Sequence, residues 1–321
     1  MGNADVDVVA ERDPGAGLAG RRVSMGQADV MVGPVAHLAA ERQRLESLRW
    51  EHFEARQLGA TIGAVIEGVD LTSPLPDEVV RELRQALVDY KVLFFREQPL
   101  TAGQHVAFAR GFGDLEVHPF IPGNPDHPEL VRFAKSADAA GYENAWHSDV
   151  SWRERPSMGA ILHAIEVPAS GGDTLFADMY AAYDGLDQRV RDRVEGLVAV
   201  HDFMKAFAGQ VPPERRDEMR ATYPLVTHPV VRTHGETGRQ LLYVNRVFVE
   251  SIVGVSDEES GDLIDLLSRQ AGIIEYQCRW HWEPHSVAFW DNRAVQHYAC
   301  SDYWPSVRIM ERASIIGERP R

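Results

Sequence analysis

The segment ENAWHSDVSW, residues 143–152, places a histidine and an aspartate one residue apart between two tryptophans. Its composition predicts a β-strand. In a strand, residues i and i+2 point to the same side, so His147 and Asp149 would present an imidazole and a carboxylate together. Such a pair supplies two ligands of a metal site. A lone His-x-Asp pair is also common as a surface pair or as a hydrogen-bonded core histidine, so the segment alone leaves both interpretations open.

The third candidate ligand, His297, lies 150 residues after His147, in the motif FWDNRAVQHYA. Two histidines and one carboxylate form the facial triad of non-heme Fe(II) oxygenases, which leaves coordination positions open for a co-substrate and O2. Zinc accepts the same ligands, so a zinc hydrolase is one alternative. A non-catalytic sensor of small molecules on the same β scaffold is a more distant alternative.

Two arginines follow the third ligand in the run RIMERASIIG. Arg308 and Arg312 are four residues apart in a strand-like pattern, so we expect them to share a face with Met310. Burying two arginines costs free energy unless anions meet them. Because the guanidinium group matches carboxylates and sulfonates, this run predicts binding of small anions.

Composition limits the class of protein and its partners. The chain has 321 residues, of which 44% are hydrophobic and 25% charged, enough to bury a large core in one domain with an extension. The formal net charge is −15 and the acidic residues are spread along the chain, which argues against nucleic acid and membrane surfaces as partners. No apolar run approaches the roughly 18 to 20 residues of a membrane helix, and the start of the chain does not resemble a signal peptide. We therefore expect a cytoplasmic protein, with a disulfide between Cys278 and Cys300 as an open alternative.

Periodicity divides the chain into three parts. Residues 1–33 are rich in Gly, Ala and Asp without periodicity, which predicts a disordered N-terminal extension. Residues 34–54 contain helix formers and predict a short leading helix, and residues 55–321 form the predicted catalytic domain. A loop over 119–145, rich in Gly, Pro and Asp, is expected to cover a binding site.

Within the predicted domain, helical patterns come first and short β runs dominate later. LPDEVVRELRQALVDY predicts a helix capped by Asp77, and TAGQHVAFARGFG predicts one that begins on Thr101. TLFADMYAAY and the two runs that flank HGETG are typical of strands, the latter joined as a hairpin. The pattern predicts an α+β protein with a β-sandwich or barrel core and helices packed on the outside.

Six motifs together resemble a known family: WHSD, GGDTLF, HDFMKAF, HPVVRTHGETG, FWDNRAVQHYA and RIMERASIIG. In order and spacing, from about residue 55 to the C-terminus, they are similar to the Fe(II)- and 2-oxoglutarate-dependent dioxygenases, and within these to the taurine dioxygenase (TauD/TfdA) family. The resemblance implies a double-stranded β-helix (jelly-roll) core, with iron held by His147, Asp149 and His297. It also implies that Arg308 and Thr174 bind 2-oxoglutarate and that O2 is the second co-substrate.

The same resemblance implies an anion-binding end of a substrate pocket. An arginine four residues after the co-substrate arginine binds a sulfonate in that group, which is Arg312 here. His118 in EVHPF and the backbone NH of Val150 would contribute to the same anion site. Phe207 and Phe248 fall at positions of aromatic pocket walls.

The end of the pocket that would receive an amine departs from the family pattern. Ile121 stands where the group has a tyrosine, and SADAAGYENA lacks the asparagine and aspartate cluster, with Glu143 as a loosely aligned substitute. The expected reaction is hydroxylation of a small anionic substrate, taurine or a related alkylsulfonate, giving an aldehyde, sulfite, succinate and CO2. An alkyl sulfate, an aryloxyacetate or a carboxylated biosynthetic intermediate is the alternative. The complete triad argues against halogenation, and the oligomeric state is open, a homo-oligomer included.

Overall fold

A computed structural model describes residues 21–25, 28–118, 123–139, 141 and 143–321 of the chain. The helices are, in chain order, α1 (Ala39–Ser47), α2 (Asp77–Tyr90), α3 (Ala102–Arg110), α4 (Met179–Asp184), α5 (Gln188–Val194), α6 (Phe203–Phe207), α7 (Arg216–Thr222) and α8 (Asp257–Ser268). The strands are β1 (Arg21–Met25), β2 (Ala28–Val32), β3 (Glu54–Gln57), β4 (Ala64–Glu67), β5 (Val92–Phe95), β6 (Leu130–Lys135), β7 (Ser157–Glu166), β8 (Thr174–Asp178), β9 (Val198–His201), β10 (Val226–Pro229), β11 (Val231–Thr233), β12 (Gln240–Leu242), β13 (Val249–Val253), β14 (Gln277–Trp280), β15 (Val287–Asp291), β16 (Val295–Ala299) and β17 (Arg308–Ile316).

A seven-stranded sheet forms the centre of the fold, in the order β3-β4-β5-β15-β7-β17-β6. Its pairings are antiparallel except that β4 and β5 run parallel. β5 and β15 are buried at every residue. Continuous apolar runs such as VLFF become buried in this way when both faces of a sheet are covered.

Helices α2 and α3 cover one face of this sheet. Leu83 and Leu87 of α2 lie at helical spacing, are fully buried and share a core with Phe95 of β5. The predicted Thr101 cap of α3 is confirmed, since its side chain and that of Gln104 form a capping box. The predicted Asp77 cap of α2 is wrong, because Asp77 is the first helical residue, where a carboxylate still interacts favourably with the helix dipole.

The other face of the large sheet packs against a three-stranded sheet, β14-β8-β16. Phe94 of the large sheet contacts Phe176 of the small one, with ring centroids 5.7 Å apart, and Phe176 lies at the same distance from Trp290. Two sheets with helices outside agree with the expected α+β class and are consistent with a jelly-roll core. The strands that carry the candidate site residues, β8, β16 and β17, thus lie in two facing sheets.

Several element boundaries differ from the sequence predictions. TLFADMYAAY is not one strand: β8 ends at Asp178, whose side chain accepts hydrogen bonds from the backbone NH groups of Tyr180 and Ala181 and so caps α4. The hairpin predicted around HGETG is confirmed by the antiparallel pairing of β11 with β12. The leading helix α1 ends at Ser47, well before residue 54, because β3 then pairs with β4.

Two predicted irregular segments contain strands. Residues 21–25 and 28–32 pair as an antiparallel hairpin within the predicted disordered extension, since both runs contain strand-forming valines, while residues 1–20 lie outside the described part of the chain. The predicted loop over 119–145 contains β6, each residue of which is paired with a residue of β17. Residues 119–122, 140 and 142 of this segment also lie outside the described part.

Two further findings bear on localisation and redox state. Within the described residues, no helix combines the length and the apolarity required for a membrane span. Cys278 and Cys300 are both free thiols, so the disulfide alternative is not realised.

Candidate metal centre and substrate cavity

His147 and His297 are joined through their backbones. Each backbone NH donates to the carbonyl of the other residue, at 3.1 Å from His147 and 2.9 Å from His297. This isolated bridge attaches the WHSD segment to the edge of β16. The predicted strand over 143–152 is wrong, because the chain turns directly after this bridge and Val150 has a φ of 47°.

The three predicted ligands nevertheless converge. His147, Asp149 and His297 each place one ligand atom within 4.8 Å of the other two. They form the candidate metal-binding group in the described part of the chain. Nε2 of His147 is 3.8 Å from Oδ1 of Asp149, and Nε2 of His297 is 3.9 Å from the same oxygen. Two imidazole nitrogens and one carboxylate oxygen around a common point fit a divalent iron ion with open coordination positions.

Hydrogen bonding and burial prepare these side chains for a cation. Nδ1 of His147 lies 2.8 Å from the carbonyl of Ala145, which assigns the proton to Nδ1 and leaves the Nε2 lone pair for a metal. Burial lowers the pKa of His297 to about 3, so its imidazole is neutral at pH 7. Burial alone would raise the pKa of Asp149, but the positive charge of Arg312 and the favourable electrostatic interaction with His297 and His147 outweigh it and lower that pKa to about 2.

Arg308 and Thr174 line one pocket together with His147 and His297. Arg308 is 8% exposed, its buried Nε has no hydrogen-bond partner, and among the described residues it forms no ion pair with a carboxylate. Burial lowers the pKa of Arg308 from its ordinary value, although it stays a cation at neutral pH. A buried, unpaired guanidinium beside a metal-binding triad is a site for an anionic ligand.

Two contacts fix the walls of this pocket. Nε1 of Trp282 donates to Oγ1 of Thr174 at 2.9 Å. Gly172 of the GGDT motif has a φ of 70°, and a Cβ there would lie 3.3 Å from Cδ of Arg308. A larger residue would therefore strain the backbone and press on the arginine.

A second cavity, of about 400 Å³, is lined by His147 and Asp149 of the triad. The five residues that the sequence assigned to substrate all line it: His118, Val150, Phe207, Phe248 and Arg312. The rings of Phe207 and Phe248 lie 6.1 Å apart, and both pack in one apolar cluster with Val150. Burial and the charge of Arg312 lower the pKa of His118 to about 4, so it faces the cavity as a neutral imidazole at pH 7.

Glu143, the sequence candidate for binding an amine, lies between the two pockets and lines both. Its carboxylate forms an ion pair with Lys135 of β6, at 2.8 Å. The charge of Glu143 is thus already compensated by a neighbouring cation.

Sequence reasoning missed some residues of the site. Asn292, fully buried, hydrogen-bonds to the backbone of Asp149, and Phe133 lines both pockets. A polar residue directly after the buried strand β15 was the available signal for Asn292, since buried amides need partners. No sequence signal pointed to Phe133, because the segment that forms its strand, β6, was predicted to be a loop.

A two-histidine, one-carboxylate centre between facing β-sheets defines a class, the non-heme iron oxygenases. A sequence model of the "Taurine catabolism dioxygenase TauD, TfdA family" matches residues 54–314. The chain therefore belongs to the TauD/TfdA family. As the resemblance predicted, it is a 2-oxoglutarate-dependent non-heme iron dioxygenase, which uses Fe(II), 2-oxoglutarate and O2.

Individual relatives are similar over most of their length. An alpha-ketoglutarate-dependent sulfate ester dioxygenase of Pseudomonas putida is 35% identical over 84% of this chain and 91% of the relative. An alkylsulfatase of Acinetobacter baylyi is 33% identical over 84% of this chain and 86% of the relative. The crystal structure of a taurine dioxygenase from Burkholderia xenovorans superposes with a TM-score of 0.74 at 38% identity, over 84% of this chain and 91% of that one.

Proposed function

We propose that this dioxygenase binds Fe(II) through His147, Asp149 and His297 and hydroxylates the carbon that carries the anionic group of a small organic sulfonate or sulfate ester. The observation that carries the proposal is buried Arg308, which has no carboxylate partner among the described residues and lines the same pocket as His147 and His297. We further propose that the two facing sheets are the double-stranded β-helix of the family.

Arg308 binds the distal carboxylate of 2-oxoglutarate, and the hydroxyl of Thr174 contributes to the same site. Both residues line the pocket that reaches His147 and His297. A planar guanidinium group in a buried pocket binds a carboxylate through two parallel hydrogen bonds and so fixes its orientation. The other end of the co-substrate would then lie towards His147 and His297, which line the same pocket.

Arg312 and His118 hold the anionic group of the substrate at the second cavity. Arg312 lines both pockets, so an anion bound to it lies beside the metal centre. The neutral imidazole of His118 can donate a hydrogen bond without adding charge. By fixing the anion, these two residues decide which carbon faces the centre.

Iron held by His147, Asp149 and His297 would, together with 2-oxoglutarate, supply the oxidant from O2, and the co-substrate would become succinate and CO2. Hydroxylation of a carbon that bears a sulfonate gives an adduct that breaks into an aldehyde and sulfite. Hydroxylation of a carbon bonded to a sulfate ester oxygen gives an aldehyde and sulfate. The inorganic product therefore identifies the substrate class.

An alkylsulfonate with an apolar chain is the first candidate, ahead of taurine itself, and an alkyl sulfate is the second. Phe207, Phe248 and Val150 give the cavity apolar walls, and Glu143 is already paired with Lys135. These two observations favour an alkyl chain over an ammonium group at the far end of the cavity. The names of the Pseudomonas and Acinetobacter relatives support a sulfate ester as well.

The test is succinate formation from 2-oxoglutarate with Fe(II) and ascorbate, in the presence of taurine, hexanesulfonate or hexyl sulfate. Sulfite and sulfate are measured in the same reactions, and Asp149→Ala serves as the control without a complete triad. We expect anion-stimulated succinate with an equal yield of one inorganic product. If the iron-loaded enzyme forms no succinate above the level of Asp149→Ala, the proposed function is wrong.

A further inference from the structure

The turn that carries Asp149 has an unfavourable backbone. Val150 adopts a φ of 47°, in the left-handed region that β-branched residues rarely enter, and it is 8% exposed. Such a conformation persists only where surrounding contacts hold it. Some other group must therefore hold the backbone that presents the carboxylate.

Asn292 makes the contacts that hold this turn. Its side-chain oxygen accepts a hydrogen bond from the backbone NH of Asp149 at 2.7 Å, and its amide nitrogen donates to the carbonyl of the same residue at 3.0 Å. The amide nitrogen also donates to the carbonyl of Ser157 at 3.0 Å. Asn292 is fully buried, so water does not compete for these bonds.

Asn292 is itself held on a rigid part of the fold. Its backbone NH donates to the carbonyl of Met158 at 2.9 Å. The carboxylate of the preceding Asp291 accepts a hydrogen bond from Nε of Arg293 at 2.8 Å and lies 3.0 Å from Nε2 of His234. All three side chains are buried. The turn then leads directly into β16, which carries His297.

We propose that Asn292 is a positioning residue for the iron site: by binding both backbone groups of Asp149, it places the carboxylate between the two histidines. The inference rests on the proposed role of the triad in binding iron. The short turn at Asn292 then positions two ligands. The side chain of Asn292 binds Asp149, and the backbone continues from the turn into β16, which carries His297. Groups that orient metal ligands in this way typically change metal affinity about 10- to 100-fold when they are removed.

A purely structural role for Asn292 predicts a different result, loss of stability without a specific loss of metal affinity. Gln98 is the matched control, because its buried amide also accepts from one backbone NH, that of Leu71, and donates to two carbonyls, those of Val69 and Arg96. The residues that it joins lie outside both pockets.

The experiment is a titration of the metal-free protein with Mn(II), followed by the electron paramagnetic resonance signal of the free ion. The variants are Asn292→Ala, Gln98→Ala and Asp149→Ala. Asn292→Asp is added because it keeps the side-chain volume and the acceptor but lacks both donors. Thermal unfolding of each metal-free variant is measured alongside.

We expect Asn292→Ala and Asn292→Asp to raise the Kd for Mn(II) about 10- to 100-fold, with Gln98→Ala within about twofold of the wild type. Unchanged Mn(II) affinity in the folded Asn292 variants, with Asp149→Ala unable to bind, overturns the positioning role alone. If Asp149→Ala binds Mn(II) as tightly as the wild type, the proposed iron site is itself wrong. The two failures are therefore distinguishable.

Discussion

Nη1 of Arg312 lies 2.9 Å from Oδ1 and 3.0 Å from Oδ2 of Asp149. The same arginine lines the second cavity. A single guanidinium thus contacts the metal-binding carboxylate and faces the position proposed for the substrate anion.

Replacement of this arginine should affect substrate binding more than co-substrate binding. Arg312→Lys keeps a positive charge but loses the planar fork, so at least one charge-assisted hydrogen bond is lost, about 1.5–3 kcal/mol. We expect KM for the stimulating anion to rise about 10- to 100-fold. KM for 2-oxoglutarate should stay within about twofold, as measured by succinate formation.

Arg132→Lys is the control for this variant. Arg132 lies on β6, beside β17, and its Nη1 bonds to Glu311 at 2.9 Å with the side chain 46% exposed. Such a pair contributes little, so both KM values should be those of the wild type. An unchanged substrate KM in Arg312→Lys would remove Arg312 from the substrate site.

Arg308→Gln should weaken the binding of 2-oxoglutarate selectively. Loss of a buried charged partner costs about 2–5 kcal/mol, so KM for 2-oxoglutarate should rise at least about 30-fold. Arg279→Gln is the control, because Nε of Arg279 bonds instead to Asp173, at 2.6 Å, and its side chain is 56% exposed. Equal KM values for the two variants would contradict the assignment of Arg308.

The hydroxyl of Thr174 can be tested by a pair of small substitutions. Thr174→Val leaves the buried Nε1 donor of Trp282 without its acceptor, which should destabilise the protein by about 1–3 kcal/mol and raise KM for 2-oxoglutarate. Thr174→Ser retains the hydroxyl and should restore both properties. Urea unfolding and succinate formation provide the two measurements, and a Val variant with wild-type values for both would show that the hydroxyl has no role.

Lys91 should be essential for stability. It is 1% exposed, and its Nζ donates to Glu41 of α1 at 2.8 Å and to the carbonyl of Thr61 at 2.7 Å, with Asp178 at 3.4 Å. Lys91→Met would leave the buried carboxylate of Asp178 and the partly buried one of Glu41 without this cation, so we expect a loss of about 3–5 kcal/mol in urea unfolding.

Arg42→Met gives the comparison on the same helix, α1. Arg42 pairs with Glu46 at the surface, with 63% of its side chain exposed, so its removal should cost no more than about 1 kcal/mol. A Lys91 variant no less stable than the Arg42 variant would show that this buried charge cluster contributes nothing net to folding.

Acid should destabilise the metal-free protein through its buried histidines. Burial and the neighbouring His163 lower the pKa of His105 to about 3, whereas an unfolded histidine titrates near 6.5. Below pH 6.5, His105 becomes protonated in the unfolded chain but stays neutral in the folded protein. The free energy of unfolding therefore falls by about 1.4 kcal/mol per pH unit until the folded pKa is reached. Above pH 6.5 this contribution is constant.

Comparison of His105→Leu with the wild type isolates this effect, because His105 lies outside both pockets. Between pH 7.5 and pH 5.5, the variant should lose about 1.4 kcal/mol less stability than the wild type. Urea midpoints at the two pH values measure the difference. Parallel losses in both proteins would show that His105 takes up its proton in the folded state too.

The sequence by itself determined the chemistry of the site. Two histidines and a carboxylate indicated a metal site and two arginines a small-anion site, and the resemblance of six motifs to the TauD/TfdA family then implied a 2-oxoglutarate-dependent iron dioxygenase. The helices α2 and α3 were predictable for the same reason, since apolar spacing and the Thr101 cap act within a few residues.

Tertiary structure decided how those side chains meet. The turn at Val150 replaced the predicted strand because Asn292, more than 140 residues away, binds the backbone of Asp149. The contact of Arg312 with Asp149 and the pairing of Glu143 with Lys135 likewise join different parts of the chain. Contacts of this kind depend on the packing of two sheets, so local sequence patterns do not predict them.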